Sequence, residues 1–287
     1  MTILDHKIDF AVVLSVKKAN PNGDPLNGNR PRQNYDGYGE ISDVALKRKI
    51  RNRLQDMGEA VFVQSNDRKN DSYNSLRERA EGNPDLEKIM KSKNGSADEF
   101  AQLACQTWID VRSFGQVFAF KGDKSGTGVS VPVRGPVSIH TATSLHPIDI
   151  TSTQITKSVN SEPGTSRGSD TMGMKHRVDS GVYVFYGSIN TQLAEKTGFT
   201  IEDAEKLKQT LRTLFENDLS SARPEGSMEV RTVYWWEHGS KLGQYSSAKV
   251  HRSLLAERIS DEPRGYEDYT FSVAPLDGLE VQILDGL

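Results

Sequence analysis

Ile8, Phe10, Val12, Leu14 and Val16 alternate with the residues between them, which predicts a strand over 8–17 with one buried face. The chain then enters Asn20-Pro21-Asn22-Gly23-Asp24-Pro25, a cluster of turn formers, and the loop continues through Asn27-Gly28-Asn29-Arg30-Pro31-Arg32. Ser42 fits a helix N-cap, and Leu46, Ile50, Leu54 and Met57 share one helical face, predicting a helix over 42–57. Residues 60–63 read as a short second strand, and 64–95 as a polar, pattern-poor, exposed excursion. Phe100, Leu103, Ala104, Trp108 and Ile109 predict a helix over 97–111. Strands follow at 117–120 and 129–139, separated by a Gly/Lys/Ser loop, and Pro132 and Pro136 place the second at an edge or a bulge.

Between 141 and 171, thirteen of 31 residues are Ser or Thr, too few of them apolar to make a core alone. That segment reads as a flexible loop or an arm ordered by something else. Order returns at 182–189, apolar on both faces and so a central strand. Thr200 with Asp203 resembles a capping box, and Ala204, Leu207, Leu211, Leu214 and Phe215 behind it predict an amphipathic helix over 200–219. Strands at 228–237, holding Tyr234, Trp235 and Trp236, and at 269–273 complete the series. Without the excursions the order is β-α-β-β-α-β, an α+β fold of the ferredoxin-like or RNA-recognition-motif type with a large insertion in its middle. No internal repeat is evident, and one elaborated domain fits better than two.

Composition narrows the class. The chain has 287 residues of which 35% are hydrophobic, with a mean hydropathy of −0.59, so much of it lies in solvated loops or partner surfaces. No run approaches the roughly 18 apolar residues of a membrane-spanning helix, and the first twenty lack a signal-peptide pattern, so a cytoplasmic location is expected. Cys105, the only cysteine, excludes an internal disulfide framework and a cysteine-based zinc cluster; inside its helix it reads as a small core residue.

A net charge of −3 argues against a nucleic-acid binder, but its placement does not. From 17 to 53 nine cations face Asp24, Asp36, Glu40 and Asp43, a local net of +5; from 255 to 287 Arg258 and Arg264 face eight carboxylates, a local net of −6. Solvated surfaces would account for both, as would an anion-binding face at one end and a subunit-docking face at the other. No His pair has H-x-x-x-H or H-E-x-x-H spacing, and G-x-S-x-G, Walker A and G-x-G-x-x-G are all missing. Asp24 and Asp36 could hold a metal after the first strand, although turn stabilisation suits them better; His140 and His146 read as loop residues. Nothing in the sequence demands catalysis, a metal or a cofactor. Lys47-Arg48-Lys49-Ile50-Arg51-Asn52-Arg53 instead puts five cations on seven helical residues, with Lys47, Arg48 and Arg51 in one fan beside the apolar face. Arg30 and Arg32 could reach the same nucleic-acid backbone. The strands lack the aromatic signature of ordinary RNA-recognition motifs, which makes base reading on the sheet unexpected.

Five stretches resemble the CRISPR-associated backbone subunit of type I Cascade complexes, most closely its type I-C form. They are Asn20–Pro25, Asp43–Arg51, Asp110-Val111-Arg112-Ser113-Phe114-Gly115-Gln116-Val117-Phe118, Val133-Arg134-Gly135-Pro136-Val137 and Met174-Lys175-His176-Arg177-Val178, in the family's order. The resemblance implies an RNA-recognition-motif-like palm (1–63 and 182–287) with a finger or web insertion (64–140) and a thumb-like arm (141–181). It also implies copies stacked head to tail along a CRISPR RNA (crRNA), with other Cascade subunits as partners and a target DNA strand paired to the guide. By position, Lys47, Arg48 and Arg51 become phosphate contacts, Asn20, Asn22, Arg30 and Arg32 line the RNA groove, and Arg112, Arg134, Lys175, His176 and Arg177 are further contacts. Met172 or Met174 becomes the wedge between bases, with core packing of a returning strand as the other reading. The implied role is non-enzymatic. Its rival is a type III backbone subunit, which cleaves RNA with a loop aspartate, and Asp24 is the counterpart here. A third reading is an adaptor that binds only protein.

Overall fold

The computed structural model describes residues 2–92, 95–120, 129–159, 163 and 172–287. In chain order its elements begin with β1 (Ile8–Ala19), β2 (Gly23–Asp24), β3 (Arg30–Pro31), β4 (Tyr38–Ile41) and α1 (Asp43–Asp56). Then come α2 (Leu76–Glu81), α3 (Pro84–Lys91), α4 (Ala97–Thr107), α5 (Ile109–Phe114), β5 (Gly115–Phe120) and β6 (Val129–Arg134). The middle of the chain forms β7 (Val137–Ile139), β8 (Ala142–Pro147), β9 (Ile150–Thr156) and the long β10 (Met172–Ile189). The remainder is α6 (Thr191–Thr197), α7 (Ile201–Arg212), β11 (Met228–Glu237), α8 (Ser247–His251), β12 (Leu254–Arg258), β13 (Tyr269–Val273) and β14 (Val281–Asp285).

A large antiparallel sheet organises the molecule, in the order β14-β11-β1-β10-β8-β4, with β7 and β9 also paired to β10. Alternation along β1 decides which face each residue serves. Phe10, Val12 and Leu14 meet Leu46, Ile50 and Leu54 of α1 and Leu207 and Leu211 of α7 in the first core. Ala11 and Val13 join Val184, Trp236, Val250, Leu254 and Tyr269 in a second core on the opposite face, beneath α8 and β12. Ser42 Oγ caps α1 at Ala45, and the Thr200–Asp203 capping box opens α7, both where the sequence places them.

Several expectations change. Residues 60–63 form no strand: the Phe62 and Val63 amides donate to the Asp110 carboxylate at 2.7 and 3.1 Å, and β7, β8 and β9 take the place beside β10. The excursion 64–95 contains α2 and α3, which close a third core around Phe62, Leu86, Phe100, Trp108 and Phe118. Helices of six and eight residues are too short to show a period, although Ser75 and Pro84 mark their first turns. The predicted helix over 97–111 breaks at Trp108, where α4 ends and α5 begins. The strand over 129–139 divides at Gly135-Pro136. Within 141–171, β8 and β9 belong to the sheet and Ala142, Ile148 and Ile150 pack on the first core; the Ser/Thr-rich stretch at 160–162 and 164–171 lies outside the described residues. The helix predicted to 219 ends at Arg212.

Candidate nucleic-acid interface

The loop after β1 is built by its own amides. Asn20 Nδ2 donates to the Asn29 carbonyl at 2.7 Å, and Asn22 Oδ1 accepts from the Ser42 amide at 2.9 Å, fastening the loop to the start of α1. Asp24 accepts from the Leu26 amide at 3.2 Å and pairs with Arg32 at 3.4 Å, so it serves the turn. Around these bonds lies a polar cleft of about 270 Å³ that Asp24, Asn27, Arg30, Arg32 and Glu40 help to line. From the wall of the cleft Arg30 donates through Nη1 to Ser152 Oγ of β9 at 2.9 Å, and Ser152 Oγ stands 2.8 Å from His176 Nδ1 of β10.

The cations of α1 are engaged within the protein to different degrees. Lys47 pairs with Asp43 one turn back at 3.1 Å and keeps an exposed flank. Arg48 donates to the Val63 carbonyl at 3.2 Å; burial, with Arg51 beside it, pulls its guanidinium below the usual value. Arg51 pairs with fully buried Asp110 at 2.8 Å and lies over the Phe114 ring at 5.1 Å. Lys49 is buried against Asp218, and Arg53 donates to Thr213 Oγ1 at 2.8 Å. Of the predicted fan, Lys47 and Arg48 border the surface and Arg51 faces inward.

Arg112 is held deeper still. Its guanidinium meets both Asp203 oxygens at 2.8 Å, a bidentate pair that ties α5 to the cap of α7. Arg134, at the end of β6, is exposed and has no ion pair among the described residues. It stands opposite Gly115, where two motif glycines let the backbones touch. A Cβ on Gly135 would sit 2.3 Å from the Ser113 carbonyl oxygen, and one on Gly115, whose φ is +80°, 2.3 Å from that of Val133.

β9 and the outer half of β10 form a two-stranded ribbon, and its register separates residues that stand together in the sequence. Met172, Met174 and His176 alternate onto one face, opposite Thr156, Gln154 and Ser152. Val178 continues that face into the first core, so the methionines lie on the same side of the sheet as Arg30 and α1. Lys175 and Arg177 point to the other side, where Arg177 pairs with Asp179 at 3.5 Å. Met172 is 62% and Met174 55% exposed, so neither packs in a core. The continuous track therefore runs from the loop cleft through Arg30, Ser152 and His176 to the two methionines. Sequence reasoning missed Ser152 and Glu40 on this track and Asp110 beside α1, which holds Arg51; a lone carboxylate within Trp108-Ile109-Asp110-Val111 was the available signal. Among the described residues no group of three or more His, Cys, Asp or Glu is placed to hold a metal, and no helix is long and apolar enough to cross a membrane.

Fold and surface together define a mixed α/β protein, built on a large antiparallel sheet, that carries an arginine-lined loop and an exposed methionine ribbon on one side. Residues 6–274 match the family model of CRISPR-associated protein Cas7, and the chain belongs to that family. It is 26% identical over 293 aligned residues to the CRISPR-associated protein Cas7 of Haloferax volcanii, covering 96% of this chain and 83% of that one. Among solved structures it is similar to a chain of a "CRISPR RNA-guided surveillance complex, pre-nicking", at 15% identity and a TM-score of 0.47, over 80% of this chain and 78% of that one. A chain of a second "CRISPR RNA-guided surveillance complex" shares 16% identity at a TM-score of 0.38, over 80% and 68% of the two chains.

Proposed function

We propose that this Cas7 protein is a crRNA-holding backbone subunit of a type I-C Cascade complex, stacked head to tail with copies of itself on an RNA-recognition-motif-like palm. In this reading it works in the cytoplasm, beside other Cascade subunits, and catalyses nothing. Arg30, Arg32 and His176 hold the guide through its sugar-phosphate backbone, with Lys47 and Arg48 at the edge of α1 and Arg134, Lys175 and Arg177 as outer contacts. Arg51 and Arg112, engaged with Asp110 and Asp203, set the positions of the elements that carry these groups. Met172 and Met174 supply the exposed apolar surface that separates neighbouring bases. The guide then pairs with a target DNA strand, so the protein needs no sequence preference of its own.

The observation that carries this reading is the Cas7 family match over nearly the whole chain, joined to a track that puts cations and exposed methionines on one side of the sheet. Replacing Arg30 and Arg32 together by Ala should lower guide retention about equally for guides of unrelated spacer sequence, and should flatten its dependence on salt by about 0.7 log units per lost phosphate contact. A loss confined to particular spacers, or co-purification without any RNA, overturns the reading. The absence of catalysis is tested separately, by incubating the assembled complex with complementary RNA and Mg²⁺. Regularly spaced cuts that disappear in Asp24→Ala would favour the RNA-cleaving alternative.

A further inference from the structure

Glu40 stands out in the loop cleft. It sits on β4 at the sheet's edge, half-buried, with its backbone amide donating to the Arg32 carbonyl at 2.9 Å. Its carboxylate lines the same cleft as Arg30 and Arg32, yet it makes no ion pair or hydrogen bond with any described residue. The other carboxylate there, Asp24, is committed to Arg32 and to the Leu26 amide. At about 270 Å³ the cleft lies just below the range of drug-sized pockets, ~300–1,000 Å³, and suits a single nucleotide unit.

The donors and acceptors divide by charge. Arginine guanidiniums are donors only and match phosphate oxygens; a carboxylate is an acceptor only and cannot bind phosphate. A ligand that satisfies both must bring an anion and a hydroxyl or amino donor a few ångströms apart. A ribonucleotide does so with its phosphate and its 2′-hydroxyl, the group by which a protein distinguishes RNA from DNA. Deoxyribose offers the phosphate alone and would leave Glu40 unpaired beside it.

We infer that Glu40 is a specificity-determining residue that accepts a hydrogen bond from a guide ribose 2′-hydroxyl, so that the chain holds RNA in preference to DNA of the same sequence. The inference rests on the proposed guide-holding role. Base amino groups are the competing donors, but they vary with the spacer, whereas the hydroxyl is present at every position.

The test compares the full-length protein with Glu40→Ala and Glu40→Gln on RNA, on DNA of the same sequence and on RNA carrying 2′-O-methyl groups throughout. Wild type should prefer RNA. In Glu40→Ala the RNA-to-DNA affinity ratio should fall about tenfold, the size of one lost charge-assisted hydrogen bond, with DNA binding unchanged or improved. Methylation should cost wild type what the substitution costs it, and cost Glu40→Ala nothing further. Glu40→Gln, whose amide oxygen still accepts, should fall between them. Arg30→Ala should weaken RNA and DNA alike. An RNA-to-DNA ratio that Glu40→Ala leaves unchanged overturns the inference while sparing the guide-holding role. A wild-type protein that holds no RNA overturns both.

Discussion

A lysine buried beneath a helix needs partners to remain charged, and Lys49 has Asp218 and, 5.5 Å away, the face of the Phe215 ring. Burial nevertheless pulls its pKa down to about 8, with Asp218 opposing the shift and Arg223 adding to it. The sign follows from proton counts. Between about pH 8 and its unfolded value of 10.5, Lys49 holds fewer protons in the folded chain than in the unfolded one. Its contribution to stability is therefore complete above 10.5 and is lost as the pH falls through 8. Across that window it amounts to on the order of 3 kcal/mol. Asp218 is not stranded when Lys49 loses its proton, because Arg223 lies 3.2 Å from the same oxygen. Thermal unfolding of wild type relative to Lys49→Met should thus shift toward wild type between pH 7.5 and 9.5. A difference that is flat across that range would mean that Lys49 titrates as it does in water. The same site qualifies a count of charges along α1: of its five-cation run, one cation is removed from solvent and two more lie against carboxylates, Asp43 and Asp110.

Elements are fastened to one another by buried ion pairs of this kind, and the Arg112–Asp203 fork is the clearest. Asp203 is 3% exposed and already completes the capping box of α7, so removing its guanidinium strands a carboxylate at a helix start. Arg112→Ala should cost about 3–5 kcal/mol of stability, measured by denaturant unfolding. Arg112→Lys should recover only part of it, since an ammonium cannot make the bidentate contact. RNA binding per folded molecule should be unchanged in Arg112→Lys; a selective loss of RNA with normal stability would make Arg112 a guide contact instead. The sequence motif shows that these positions matter and not what they do, because Asp110 and Asp203 are distant in the chain from the arginines they hold. Elements were legible where an apolar period or a cap marks them: β1, α1, β11 and β13 lie where the sequence places them and α7 begins at its capping box, although β1 buries both faces rather than the one its alternation predicts. The ribbon was not legible, because both its faces are exposed and Ser and Thr on β9 leave no alternation to read. Once 172–178 is a strand, however, the split between the methionine and lysine faces follows from parity alone.

At the scale of the whole molecule, the sheet order gives the uneven charge a direction. β4, in the basic segment, forms one edge of the large sheet and β14, in the acidic segment, the other. α1 covers the first core, while β12 and β13 cover the second on the opposite face. No ion pair among the described residues joins the +5 and −6 segments, so they do not neutralise each other in place. In the proposed head-to-tail stack, the cations that flank β4 in one copy, Arg30, Arg32 and Lys47, can approach the next copy's acidic edge, and such a heterologous contact extends into a filament wherever its rotation does not close a ring. The net charge of −3 also limits binding to stray nucleic acid by an unassembled copy. Asp277, Glu280 and Asp285 carry the acidic edge without an ion-pair partner among the described residues. Converting them to Asn, Gln and Asn should leave binding to an RNA long enough for one copy unchanged. On an RNA long enough for several, it should lower cooperativity several-fold, read by sedimentation velocity, with the difference shrinking as salt rises and screening shortens the reach of the field. Equal cooperativity in the two proteins at low salt would show that the copies meet through some other pair of surfaces. Weaker binding to the short RNA as well would mean that the acidic edge acts on the fold rather than on the neighbour.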